Sequence, residues 1–284
     1  MVQTEGRLYV FYNVLLEDQF MWNTPLLLGL MGIAVLYVLA ATRLADKKMY
    51  HKQPLFFFFS LGLLYLTIGS PLTVISHLSF SLHMIQMSVI YFIVPPLFLL
   101  GIPSHLFHRK ISMVNKISKW FFTPKISLIV FAVLFLMYHL PAVLNVFSQN
   151  PIVHNGYIYL LLVLSFSMWW PIVSPDLKQR LCEGRKQRYA FLSGVLLMPA
   201  CLLFVFSAFI DGANNPFLTQ ITSHLCIPSQ SISLTILPPP FNTNYDQATA
   251  GFIMLGIHKA ALMATTRLGA KATETQGEKQ NSFH

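Results

Sequence analysis

The chain has 284 residues, 55% hydrophobic and only 10% charged, whereas a soluble domain carries roughly 25% charged residues. A water-soluble fold is excluded, and several spans of ~20 residues leave no room for a second large domain. The formal charge of +9 falls in loops between apolar runs. That placement argues against nucleic acid as a partner and for basic loops set against a lipid bilayer.

Residues 1–23 read as a short outer segment. Glu5, Glu17 and Asp18 stand where a cleavable signal would need a basic start and an apolar core. Seven membrane-spanning helices are expected at about 24–42, 54–70, 78–100, 126–147, 153–173, 189–210 and 246–267. The fold class is therefore all-α, a polytopic bundle over 1–268, followed by a polar tail at 269–284 too poor in apolar residues to order. Pro95-Pro96 is expected to kink the third span and Pro199 the sixth. Trp169-Trp170-Pro171 reads as an interfacial aromatic belt with a helix stop. The three cysteines, Cys182, Cys201 and Cys226, show no metal or redox spacing, and the topology keeps them from pairing.

The basic residues orient the bundle. The loops after spans 1, 3 and 5, with the tail and Arg267 at the end of span 7, hold 17 of the 19 Lys and Arg residues, while the long segment 211–245 holds none. The positive-inside rule then puts the amino terminus out and the carboxyl terminus in.

With this topology His77, His83, His139, His154, His224 and Asp246 fall in the outer half of the bundle or in its outer loops. His83 and Met87 are four apart on one face of span 3. At ~1.5 Å rise per residue they lie at the depth of His139 on span 4. His154 opens span 5 across a short turn. Polar side chains at membrane depth usually mark a functional site, and imidazole with thioether suits copper, above all the soft Cu(I). The candidate metal ligands are His83, Met87, His139 and His154, with His77, Met84 and Asp246 as weaker candidates. The bland alternative is that these histidines only tie helices together by hydrogen bonds, and that Met84 and Met87 fill core space. Asp246-Gln247 is also a good start for the last helix. Neither a Ser-His-Asp set, a Gly-rich phosphate loop nor a helical carboxylate pair is present, so no enzymatic activity is expected.

Several stretches together carry a resemblance: SLHMIQ at Ser81–Gln86, VPPLFLLGIP at Val94–Pro103, HLP at His139–Pro141, His154, WWP at Trp169–Pro171 and DQxxAG at Asp246–Gly251. In this order they resemble the CtaG family, seven-span assembly factors of cytochrome c oxidase in Gram-positive bacteria. The resemblance implies a multi-pass plasma-membrane protein whose partners are subunits of a caa3-type oxidase. It also implies a metallochaperone role in forming a copper centre, with the family's His-rich motif falling on His83 and followed by His139 and His154. The family usually reads HMxQH where this chain has Met87 at the second position, which keeps a copper-compatible ligand but shifts it toward Cu(I).

Three other readings compete. A scaffold would stabilise an oxidase subunit without binding metal. A metal transporter would need polar residues continuing inward, and Ser88–Leu100 is nearly bare. A retinal protein is suggested by Lys259 in span 7, but the spans offer no central carboxylate as counter-ion.

Overall fold

The computed structural model describes residues 22–44, 52–77, 79–103, 123–176, 179–210, 241 and 243–281. The segment before Trp22, most of the loop with His105 and His108, His51, and the stretch holding His224 and Cys226 lie outside these residues. The described chain is all-helical, without strands. In order the helices are α1 (Thr24–Leu44), α2 (Gln53–Leu64), α3 (Leu72–His77), α4 (Phe80–Ser88), α5 (Val94–Gly101), α6 (Pro124–Tyr138), α7 (Pro141–Gln149), α8 (Pro151–Val173), α9 (Glu183–Ile210) and α10 (Asn244–Asn281). Wider π-helical turns extend α2 through Tyr65–Gly69 and join α4 to α5 through Val89–Ile93.

Among the described residues, five stretches are long and apolar enough to cross a membrane: Thr24–Arg43, Phe80–Gly101, Pro151–Val173, Glu183–Ile210 and Asn244–Leu268. The expected spans 2 and 4 correspond to shorter apolar helices, Gln53–Gly69 and Lys125–Tyr138. Span 4 is not the continuous helix expected over 126–147. It breaks at His139-Leu140, where His139 and Leu140 donate their N–H groups to Leu136 and Met137 in tightened turns. Leu140 is then extended (φ −74°, ψ 132°), as a residue before proline must tend to be. The tail also differs from expectation: the backbone of α10 continues as helix to Asn281. Its Ala, Lys, Glu and Gln residues are good helix formers, and no proline interrupts them.

The third span shows how one local problem is solved at long range. Proline has no N–H, so Pro95 leaves the Tyr91 carbonyl, four residues back, without its helical donor. The indole Nε1–H of Trp169 on α8 donates to that carbonyl at 2.9 Å. Trp169 is thus fully buried rather than part of an interfacial belt, and only Trp170 reaches outward, donating to Gln179 Oε1 at 2.8 Å. Trp169→Phe keeps an aromatic side chain but loses the indole N–H and orphans the buried carbonyl. The expected loss is about 2 kcal/mol, read from denaturant titration in detergent; an unchanged midpoint would mean the carbonyl has another donor.

The main core gathers side chains from α4 to α6 and from α8 to α10, around Tyr91, Phe92, Phe131, Phe135 and Trp169. α1 stands at the edge. Only Leu30, Tyr37 and Ala41 of its side chains are buried, a narrow stripe at helical spacing. Tyr37 stacks on Phe57 with ring centres 3.9 Å apart and donates its hydroxyl to the Gly101 carbonyl at 2.9 Å. Cys182 is an exposed and Cys201 a buried free thiol, so neither is in a disulfide.

Candidate functional site

The site begins with the start of α4. A helix leaves its first N–H groups without partners, and here a carboxylate from another helix takes them. Asp246 Oδ2 accepts from Ser79 Oγ at 2.9 Å and from the Phe80 N–H at 3.0 Å, while Oδ1 accepts from the Ser81 N–H at 3.3 Å. Ser81 Oγ returns a bond to the Asp246 carbonyl at 3.2 Å. Asp246 therefore anchors α10 to α4 instead of pointing at a metal. Ser79 also accepts from Leu82 N–H as the helix's own N-cap.

One turn further along, α4 presents His83, Gln86 and Met87, all buried. Gln86 is locked by both ends of its amide: Nε2 donates to the Thr67 carbonyl and Oε1 accepts from Ser76 Oγ, each at 2.6 Å. Those bonds tie α4 to the π-helical turn after α2 and to α3. α3 thereby brings its last residue, His77, over the cluster. The His77 ring centre lies 5.5 Å from that of His83 and 6.1 Å from that of His154. Burial, and secondarily the His154 imidazole, holds His77 well below the ordinary histidine range, so its ring is neutral. A neutral ring is the form that binds metal.

Tyr138 joins the cluster from the last turn of α6. Its hydroxyl lies 2.9 Å from His154 Nε2 and 3.3 Å from His83 Nε2. The rings are nearly parallel, with Tyr138 at 6.0 Å from His83 and 5.9 Å from His154. A cleft of about 250 Å³ opens beside them, walled by Thr73, His77, Gln86, Met87, His154 and Asn155 among others.

The expected ligands are therefore only partly brought together. His77, His83 and His154 converge, and Met87 shares a cleft with two of them. His139 lies outside the Tyr138 hydrogen-bond network, beside the Tyr138 ring: its Nδ1 donates to the Phe135 carbonyl at 2.6 Å, and its ring packs against Phe135 and Phe204. That bond fixes the proton on Nδ1 and leaves Nε2 buried without a hydrogen-bond partner. Met84 is fully buried in the main core. Among the described residues, no three His, Cys, Asp or Glu side chains are arranged to hold a metal ion. A closed structural metal centre of those residues is absent there; imidazoles with a thioether alongside remain.

Sequence reasoning missed Tyr138. Tyr138 sits next to His139 in the Tyr-His-Leu-Pro stretch, and chemistry was assigned to the histidine alone. The signal was present, because a tyrosine at membrane depth needs a partner for its hydroxyl.

Further along α10, His258 pairs with Ser193 at 3.1 Å and lies on the Phe92 ring. The neighbouring Lys259 is exposed, and no carboxylate is paired with it among the described ion pairs.

No match was found among curated proteins or among solved structures. The family profile for cytochrome c oxidase caa3 assembly factors (Caa3_CtaG) matches residues 35–268. That stretch runs from within α1 to the last described side chains of α10, and it holds every residue of the cluster. The chain belongs to the caa3 cytochrome c oxidase assembly factor family.

Proposed function

We propose that this protein crosses the bacterial plasma membrane seven times, amino terminus out, and assists formation of an oxidase copper centre. In this reading His83 and His154 hold Cu(I) transiently, as cargo, with His77 and Met87 alongside, and the protein passes it to an oxidase subunit at the outer face. The placement of 17 of 19 Lys and Arg residues in alternate loops, at the end of span 7 and in the tail supports the orientation. The observation that carries the site is the convergence of three imidazoles from α3, α4 and α8 beside an open cleft that Met87 lines. Two ligands on one ion at about 2.0 Å bring their nitrogens within roughly 4 Å, and ring centres 5.5 and 6.1 Å apart are compatible with that. A thioether alongside favours Cu(I) over harder ions. An incomplete shell suits release as well as capture.

The test is Cu(I) stoichiometry and affinity on detergent-purified protein. One copper is expected, lost in His83→Ala and His154→Ala and retained in His139→Ala. Loss in all three variants would move the site toward His139, and no binding by wild type would sink copper delivery.

A second reading has its own support. The Tyr138 hydroxyl bonded to two imidazoles is a satisfied buried network, and such networks can serve only to fix helix packing. The protein would then hold an oxidase subunit by contacts alone. Wild type that binds no copper yet still co-purifies with oxidase subunits would favour it.

A further inference from the structure

Resting on the copper reading, we propose that Tyr138 is the gate of the site. Its hydroxyl holds the place between His83 and His154 that the ion takes, and it must withdraw before both rings can ligate together.

The argument starts from protons. A phenol has one O–H, so it donates to one of the two Nε2 atoms and accepts from an N–H on the other. With contacts of 3.3 and 2.9 Å to a single oxygen, the two imidazoles are in opposite states at Nε2. One offers a lone pair and the other carries a proton. Copper needs lone pairs from both, so the protonated ring must shift its proton to Nδ1 as the ion enters. The oxygen itself is a poor replacement ligand, because phenol oxygen is hard and Cu(I) is soft. The hydroxyl therefore competes with the ion for these two nitrogens.

Geometry gives the gate a way to move. Tyr138 is the last residue of α6, directly before the break at His139-Leu140. Beyond it the chain is held by the short-range bonds of the two tightened turns. Withdrawal is a rotation of the Tyr138 side chain about its own Cα–Cβ bond at the end of α6. The ring packs on Phe147 of α7 and Tyr157 of α8, with centres 5.6 and 6.0 Å away, so its path runs along an aromatic wall.

Tyr138→Phe removes the competing hydroxyl and keeps the ring. Cu(I) affinity, measured by competition with a colorimetric Cu(I) chelator, should rise about three- to ten-fold over wild type, the effect of one or two lost hydrogen bonds. In a His83→Ala/Tyr138→Phe double variant that gain should vanish, which separates a gate from a generally loosened pocket. As a second measurement, wild type carrying ring-labelled tyrosine should show one tyrosine resonance, absent from Tyr138→Phe, that shifts with the first equivalent of Cu(I). Equal or weaker binding by Tyr138→Phe, or a Tyr138 resonance unmoved by copper, would overturn the gate and leave the copper site standing. No binding by either protein would overturn both.

Discussion

Asp246→Ala should cost about 3 kcal/mol of stability, because the carboxylate accepts from two backbone N–H groups and one hydroxyl at a buried helix start. Hydrogen bonds to an ionised acceptor are stronger than neutral ones, and their donors would be left without their acceptor in a region where Ser79 is fully enclosed. Asp246→Asn keeps one acceptor oxygen and should lose roughly half as much. The same bonds set where α4 begins, so the alanine variant should also disturb His83, one turn later. Denaturant titration in detergent checks the first point, and the ring resonances of His83 check the second. An alanine variant within 0.5 kcal/mol of wild type would show that α4 is capped in some other way.

Gly101→Ala should be nearly as damaging. A Cβ at Gly101 would stand 2.6 Å from the Phe57 amide nitrogen and 2.7 Å from its Cα. Those are backbone atoms, so no side-chain rotation relieves the clash, and α5 must move away from α2. The shift also pulls on the bond from Tyr37 to the Gly101 carbonyl, which holds α1 to the bundle. A loss of about 2–3 kcal/mol is expected. Gly62→Ala, on the same α2 but with open space around it, should instead gain up to about 1 kcal/mol from better helix propensity. If both alanines behave alike in the same titration, the close approach is not limiting.

The helices were legible in the sequence because unbroken apolar runs and loop charge are strong signals. Their facing was not. α8 is apolar almost all round, so no stripe shows which side carries His154 inward. His83 and His154 meet through Tyr138, a contact 55 and 16 residues away along the chain, and beneath His77. Depth along the membrane, which the sequence does encode, placed His139 level with them. Rotation about the helix axis, which it does not, sent that ring toward Phe204. Asp246 was recognisable as a helix start, yet the helix it caps is α4, and only tertiary packing reveals that. The break at His139-Leu140 was written in Pro141, but an apolar run long enough for one span concealed it.

The bond between Trp169 and the Tyr91 carbonyl also bears on the order in which the chain is built. A nascent chain delivers its segments to the bilayer from the amino terminus, so Tyr91 arrives while Trp169 is still 78 residues away. Until then the carbonyl freed by Pro95 faces a medium with no water to take its place, at a cost of several kcal/mol. The third apolar segment is therefore a poor resident on its own and becomes a good one when α8 arrives. Packing of Phe80–Gly101 is therefore completed jointly with α8, and the step that completes it also brings His154 to His83.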